Sequence, residues 1–416
     1  MQKYDVIIVG AGAAGMMAAI TAGRAGHSVL LLEKLSKIAA KLKATGGGRC
    51  NLTNTLDKDT FMAHFGRDGR FMSPALEAFD HKDLMDFFRN IGVESHAPDG
   101  YRVFPITHSS STIIDAMRIE MQGLGITVKC GEQVHKILEE DGEVQGVKTM
   151  QDSFYAKSVV LATGGMGYPM LGAEGDGYPM AEALGHKITA LYPAMMPLKV
   201  KEEWVGTCRA DTIAKVSMHV DIKKYKKLTA KGDLIFTKGG IRGPVVLDFS
   251  REITPLLDKF EAVPILANFT KGMNEEEIRN HFKKVLAKSP EHTTLDLLLT
   301  LLPHSVSEAL CTLAEVDPNI TLAKQSGIAR DKLYRLLVWT PLTVNGHDGF
   351  KMAMITRGGI HLKEIDPYTM QSKRVSGLHF CGEVMNIDGP CGGYNLQWSF
   401  ASGYLAGSSL HIDKKP

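Results

Sequence analysis

Six residues, Gly10-Ala11-Gly12-Ala13-Ala14-Gly15, follow directly on the apolar run Tyr4-Asp5-Val6-Ile7-Ile8-Val9, and Glu33 closes the next apolar run, Val29-Leu30-Leu31-Leu32. The chemistry that this spacing suits is the holding of a pyrophosphate. Gly10 permits a tight turn, Gly12 lets backbone approach the phosphates, and Gly15 lets a helix lie close on a strand. The N–H groups and positive dipole of a helix N-terminus then face the anion. An acid at Glu33 accepts hydrogen bonds from ribose hydroxyls and repels a 2′-phosphate. To bring these groups together, Tyr4 to Val9 must be a buried strand, Ala13 to Ala25 a helix, and Ser28 to Leu32 a second, parallel strand, as their apolar patterns predict. A lone G-x-G-x-x-G is weak. Strand, glycines, helix, strand and acid in that order predict a dinucleotide-binding domain.

Three further segments have the texture of ligand contacts. Lys41 to Asn54 has no amphipathic period, and its successive glycines Gly46, Gly47 and Gly48 cost chain entropy without packing anything. Backbone of that kind suits a flat or charged ligand. The directional donors Arg49, Asn51 and Asn54 argue the same way, against the plainer reading of a flexible loop. Next, the apolar strand Ser158-Val159-Val160-Leu161 ends in Ala162-Thr163-Gly164-Gly165, a second glycine marker of flavoproteins built on a dinucleotide fold. Ala162, Thr163 and Gly164 therefore join the candidate cofactor contacts, as do Ala14 and Lys34 beside the first fingerprint. Gly175-Asp176-Gly177 opens a predicted helix, Tyr178 to Leu184. The third segment is C-terminal: Thr356-Arg357-Gly358-Gly359-Ile360, Cys381-Gly382-Glu383, and Asp388-Gly389-Pro390-Cys391-Gly392-Gly393-Tyr394-Asn395-Leu396-Gln397.

The bulk properties exclude several classes. The formal net charge of +2 gives no global pull toward nucleic acid or anionic lipid, so neither is expected as a partner. Lys223-Lys224-Tyr225-Lys226-Lys227 reads as a solvated turn or strand edge. The six cysteines form no C-x-x-C pair, which disfavours a dithiol motif and a four-thiolate metal site. No metal is expected, and reduced thiols suit the cytoplasm. Val6 to Gly23 is apolar enough to resemble a signal segment, but its glycine spacing favours strand–turn–helix. No other run approaches membrane-spanning length.

Along the chain, residues 73 to 125 read as two helices around Gly100 to Pro105. A meander follows: Thr127 to Lys129, Val134 to Glu140, and Val144 to Met150. From about Leu191 short β-type runs (Val216 to Ile222, Leu234 to Thr237, Val245 to Phe249) predict a small barrel or sandwich. Ile278, Phe282, Val285 and Leu286, then Leu295, Leu298, Leu299 and Leu302, fall at helical spacing. The domain reading is a discontinuous α/β nucleotide domain, 1–192 and 345–416, interrupted by an inserted domain, 193–344. Within the insert, 193–272 reads as barrel-like and 273–344 as helical. The last strand is Leu378 to Phe380, and a closing helix runs from Trp398 to Leu410.

The runs G-A-G-A-A-G at 10–15, K-L-K-A-T-G-G-G-R-C-N-L-T-N at 41–54, A-T-G-G at 162–165, G-D-G-Y at 175–178, T-R-G-G-I at 356–360 and the segment from Gly382 to Gly403 resemble the YhiN-like bacterial FAD-binding flavoproteins. That group includes bile-acid Δ4,6-reductases and aminoacetone oxidases. The resemblance implies a glutathione-reductase-type Rossmann FAD domain with an inserted β-barrel-plus-helices domain. It also implies that Gly10, Gly12 and Gly15 hold the FAD pyrophosphate, with Glu33 on the adenosine ribose and the Val134 backbone on adenine. Lys41, Thr45, Gly46, Gly47, Gly48, Arg49, Cys50 and Asn51 would line the isoalloxazine and pyrophosphate. Gly382, Glu383 and Asp388 would reach the ribityl-phosphate region, and Gly393, Tyr394, Asn395 and Leu396 the flavin pyrimidine edge. One departure is the loop Thr237-Lys238-Gly239-Gly240-Ile241-Arg242-Gly243-Pro244, which is more basic than the family's T-H-x-G-x-S-G-P.

The leading expectation is an FAD-dependent oxidoreductase that reduces a carbonyl-conjugated C=C of a small molecule by hydride from flavin N5, with NADH or NADPH as a transient donor. Tyr394, Arg357 and Tyr101 are the candidate catalytic groups, with Arg102 and His361 behind them. Cys50 and Cys391 read as buried thiols in tight turns in preference to redox groups. A flavin-dependent amine or aminoketone oxidase using O₂, and a non-enzymatic flavin-binding protein, are the alternatives.

Overall fold

Val6, Ile7 and Ile8 have no exposed surface, and a strand buried on both faces belongs inside a parallel sheet covered by helices. In the computed structural model, which describes residues 3–410, that strand is Lys3–Val9. It pairs in parallel with Val29–Glu33 on one side and with Ser153–Leu161 on the other. Thr127–Cys130 extends the sheet beyond Val29–Glu33. Leu378–Phe380 returns from the far end of the chain to lie parallel to Val159–Leu161. The antiparallel meander Val134–Glu140, Glu143–Thr149 leads into Ser153 and completes seven strands.

Helix Ala13–Arg24 lies nearly buried, and its partner is the closing helix Tyr394–Ser408. Small residues set their approach. A Cβ on Gly403 would overlap the carbonyl of Ala14, and one on Gly407 would stand 2.6 Å from Ala18 O. The two ends of the chain are thereby locked face to face. Two compact units result: one takes the chain up to Pro193 and again from Met354, the other is Ala194–Ala353.

The second unit holds a closed six-stranded antiparallel barrel: Leu198–Val200, Gly240–Arg242, Thr229–Thr237, Thr212–Val220, Val263–Asn268 and Thr340–His347. Four helices, Glu275–Leu286, Thr294–Leu299, His304–Ala314 and Gly327–Val338, come between its last two strands. The architecture is therefore mixed α/β, a Rossmann-type sheet with a closed barrel, as the sequence predicts.

Several boundaries differ. Val245 to Phe249, expected as a β-type run, belongs to a helix, Pro244–Phe260. Val245, Val246, Phe249, Ile253 and Leu256 form its buried stripe, and a five-residue apolar window cannot tell that pattern from a strand. Pro244 at the first helical position follows Gly243, at φ 106°, and a proline there loses no intrahelical bond. Thr340–His347 is a strand that closes the barrel, where the sequence predicts helix through 344. Three helices, not two, fill residues 73 to 125, because Asp80 caps a fresh start at His81–Asn90 with Asp83 reciprocating. The closing helix begins at Tyr394, a turn before the expected Trp398, behind Gly393 at φ 88°. Among the described residues no helix is long and apolar enough to cross a membrane.

The helix–helix contact supplies a test. Gly403→Val should lower stability by about 1–3 kcal/mol through overpacking, read as a lower urea midpoint. Gly123→Ala, on an exposed helix end with nothing near its Cβ, should leave the midpoint unchanged or raise it slightly.

Candidate functional site

The three fingerprint glycines serve different ends. A Cβ on Gly10, at φ 101°, would stand 2.6 Å from Ala162 O, and one on Gly15 would overlap the carbonyl of Gly10. Both are glycine because the chain itself leaves no room. Gly12, the N-cap of helix Ala13–Arg24, would meet nothing within 4 Å. Its smallness answers no contact within the protein, and it leaves a cradle at a helix N-terminus that a Cβ would fill. That is the fit expected for a pyrophosphate. Glu33 is clamped beside this cradle, one carboxylate oxygen accepting Ala11 N–H (2.9 Å) and the other Leu35 N–H (3.0 Å). A carboxylate has about four acceptor positions, so ribose hydroxyls can still be accommodated.

Lys34 turns away from the fingerprint. Its ammonium bridges Glu174 (2.6 Å) and Asp176 (2.5 Å). Burial works against that charge, but the two carboxylates prevail and hold its pKa above the ordinary lysine value. Gln133, the neighbour of buried Val134, donates to the other oxygen of Asp176. Val134, Lys34 and the Gly175–Gly177 turn are thus joined at one side of the sheet.

A second junction centres on Glu383. One of its oxygens accepts Lys41 Nζ (2.8 Å) and the other Thr356 N–H (2.8 Å), while Thr356 Oγ1 accepts Met166 N–H (2.7 Å). One carboxylate therefore gathers four distant stretches of chain. Gly165 must be glycine, since a Cβ would overlap Thr356 Oγ1. Gly382 N–H donates to Ser402 Oγ of the closing helix (2.9 Å). Ala162 is buried, and Gly164, at φ 72°, has open space where a Cβ would point. Beside them the Thr163 and Tyr178 hydroxyls are buried without a hydrogen-bond partner. Unsatisfied buried polar atoms are uncommon in folded proteins. At this place they fit a polar ligand.

The third junction joins the two glycine-rich loops. Gly46, Gly47 and Gly48 all have left-handed φ values, and positions 47 and 48 open onto space. Thr45 closes the turn through its hydroxyl to Leu42 O and its carbonyl to Cys50 N–H. Asn51, with its amide oriented to satisfy both ends, accepts Gly393 N–H (3.0 Å) and donates to Thr53 O and Val103 O. Asn54 donates to Gly392 O (3.0 Å). Asn395 grips the Gly389 backbone through both ends of its amide, with half-buried Leu396 beside it. Arg49 curls back, Nε to Gly46 O, with its guanidinium 5.6 Å from the Phe104 ring centroid. The amides of Asn51, Asn54 and Asn395 thus bind chain to chain.

Tyr394 starts the closing helix at 2% exposure, and its hydroxyl lies 2.6 Å from that of half-buried Tyr101. The rings of Phe61, His64 and Phe65 surround it. Arg357 lies on the strand Ile355–Ile360 and acts electrostatically on Asp68, together with Asp388 and His361. Partial burial and the Asp388 charge lift the Asp68 carboxyl above the ordinary value, against the pull of Arg357 and His361. Asp68 carries no sequence signal and was missed. Arg102 is engaged on its own turn by Asp99 (2.7 Å), whose carboxyl that contact holds down at about 2. His361 caps Lys363 N–H. Cys50 is buried, and burial pushes its thiol up to about 12, too high for a thiolate at neutral pH. Cys391 is exposed, not buried as expected, although Gly389 and Gly392 of the same turn are buried.

The family described as HI0933-like protein Rossmann domain matches this chain over residues 4–409. The chain is 31% identical over 404 residues to a 3-dehydro-bile acid Δ(4,6)-reductase of Clostridium scindens, covering 96% of this chain and 97% of that one. It is 29% identical over 411 residues to a ribosomal RNA dihydrouridine synthase of Escherichia coli, covering 99% and 98%. Among solved structures, the 3-ketosteroid Δ1-dehydrogenase of Sterolibacterium denitrificans in complex with 1,4-androstadiene-3,17-dione matches with a TM-score of 0.54. That match is at 12% identity and covers 98% of this chain and 99% of that one. It is a likeness of fold alone.

The open cradle at Gly12 yields a sharp expectation. Gly12→Val should fold with the melting temperature of the flavin-stripped parent, because nothing in the chain occupies that space, yet purify with about tenfold less bound flavin by absorbance. Full flavin occupancy in that variant would show that the cradle is not a phosphate site.

Proposed function

The chain belongs to the HI0933-like Rossmann-domain family, and from that premise we propose that it is an FAD-dependent oxidoreductase reducing a C=C bond conjugated to a carbonyl. The observation that carries this reading is the meeting of the Gly46–Asn54 and Gly389–Leu396 loops beside the hydrogen-bonded Tyr101–Tyr394 pair. It is supported by the names of relatives matched over nearly their whole length, a Δ(4,6)-reductase and ribosomal RNA dihydrouridine synthases of Escherichia coli and Haemophilus influenzae. A 3-oxo-Δ4,6 steroid and a uracil ring both present an alkene next to a carbonyl.

Gly10, Gly12, Ala14 and Gly15 would hold the pyrophosphate, Glu33 the ribose, and Val134 the adenine. The junctions around Thr163, Glu383 and Gly393 would hold the rest of the cofactor. FAD held there would supply the hydride-transfer chemistry. The chain's part is to place the substrate and complete the addition with a proton on the α-carbon. Tyr101 and Tyr394 hold that proton between two oxygens, and the aromatic cage around Tyr394 fixes its direction. Arg357 offers positive charge for the carbonyl oxygen as negative charge develops there. NADH or NADPH is the electron source we assign, visiting transiently because the chain carries one dinucleotide fingerprint. The six cysteines form no disulfide, which suits the reducing cytoplasm.

A small enone is the first reading of the substrate. Uracil within RNA is the second, favoured by the 29% identity to rRNA dihydrouridine synthases over nearly the whole chain.

Anaerobic stopped-flow at the flavin absorbance band separates the possibilities. NADH or NADPH should bleach the protein, and a 3-oxo-Δ4,6 steroid or uridine-containing RNA should restore the colour. Bleaching by amines alone, with peroxide on admitting air, would make the protein an oxidase and overturn the reading. Flavin that nothing reduces would mark a binding protein. Tyr394→Phe and Tyr101→Phe should each slow the alkene-dependent phase by about 10²-fold or more, while bleaching by nicotinamide stays within about twofold of the parent.

A further inference from the structure

The barrel hairpin that joins Thr212–Val220 to Thr229–Thr237 carries Lys223, Lys224, Lys226 and Lys227 at its tip, all exposed. One carboxylate, Asp221, approaches them, 3.8 Å from Lys226. The tip is also aromatic. Tyr225 lies edge-on to Phe260 (5.9 Å, 74°), which is 42% exposed, and Lys224 Nζ sits 5.8 Å from the Tyr225 ring centroid.

The strand register continues this surface. Inward positions Val216, Met218 and Val220 are buried, so Ser217 and His219 face outward. Thr229 stands opposite His219, and Lys231 opposite Ser217. The His219 ring meets Trp339 edge to face at 4.4 Å, and Trp339 is 38% exposed. Thr229 to Lys231 is two residues, about 7 Å along the strand, and Lys227 lies two residues before it in the turn. Lysines therefore stand at both ends of a strip whose middle is His219 and Trp339. Asp233 accepts the Lys215 N–H at the strip's far end (3.0 Å).

We propose that this hairpin, with Trp339 and Phe260, is a docking surface for single-stranded RNA. The proposal rests on the second substrate reading above. Alternating ammonium groups and part-exposed rings are what a phosphate backbone with unpaired bases requires: charge to neutralise phosphates, π-faces for stacking. A membrane anchor would instead push whole apolar side chains into lipid. Here the barrel covers more than half of each of Trp339 and Phe260, leaving surface for stacking and little to insert.

The test uses the full-length, flavin-loaded protein and a fluorescently labelled, unstructured 20-nucleotide RNA, read by anisotropy from 50 to 300 mM salt. Reversing the four tip lysines to glutamate should weaken binding by at least about 30-fold at 100 mM salt. It should also flatten the slope of log Kd against log salt by up to about 2.8, at about 0.7 per lost phosphate contact. Trp339→Ala should weaken binding by about 5- to 100-fold, the worth of one stacked base. Lys283→Glu with Lys284→Glu, exposed on helix Glu275–Leu286, should change it less than about twofold. Parental affinity in the tip variant, an equal loss in the Lys283/Lys284 control, or affinity for phosphatidylserine vesicles in place of RNA would each overturn the surface. Dihydrouridine is assayed separately. RNA that binds through the hairpin but is never reduced sinks the substrate reading alone, and free uridine reduced by a protein without hairpin-dependent RNA binding sinks the surface alone.

Discussion

Asn51 and Asn54 hold Gly393 and Gly392 by side-chain-to-backbone hydrogen bonds, and the candidate site exists only because they do. These bonds join a loop near the start of the chain to one near its end, under conditions where an unmade partner would leave a buried amide unsatisfied. Losing one such partner costs about 1–3 kcal/mol, enough to make the junction specific. Gly393 must be glycine on two counts, a left-handed φ of 88° and a Cβ that would overlap Thr53. With the loops so fixed, Tyr394 begins its helix where its hydroxyl meets that of Tyr101.

The same logic recurs at Glu383 and at the helix pair Ala13–Arg24 and Tyr394–Ser408. In each case a polar side chain or a pair of small residues brings together stretches hundreds of positions apart. Glu383 gathers Lys41, Thr356 and, through Thr356, Met166. Gly403 and Gly407 admit the first helix. Gly12, Gly47, Gly48 and Gly164 all point into space, and Thr163 and Tyr178 keep buried hydroxyls unsatisfied. Open glycines occur on ordinary turns as well, Gly123 among them; what sets this region apart is that they lie with buried hydroxyls whose hydrogen bonds the chain does not itself supply.

Electrostatics sharpens the division of labour. Cys50 sits at the end of the glycine loop, where burial raises its thiol to about 12 and keeps it protonated at neutral pH. Lys34 and Lys41, both near the fingerprint, are committed to carboxylates. The titratable groups that remain grouped are Asp68, Asp388, Arg357 and His361, along with the two tyrosines.

What could be read along the chain was whatever depends on neighbours in sequence. The strand, three glycines, helix and acid of the first fingerprint lie within a single strand–turn–helix–strand unit, and their periodicity and spacing are local properties. The short β-type runs at Val216 to Ile222 and Leu234 to Thr237 and the helical spacing of the apolar residues after Ile278 were legible for the same reason, though Val245 to Phe249 shows how a short apolar run misleads when its continuation to Leu256 is ignored. The Tyr101–Tyr394 pair, the action of the Arg357 and Asp388 charges on Asp68, and the placing of Trp339 beside His219 were decided only by the fold. No spacing rule reaches across hundreds of residues; such contacts are fixed by which faces must be buried together and by which hydrogen bonds would otherwise go unmade.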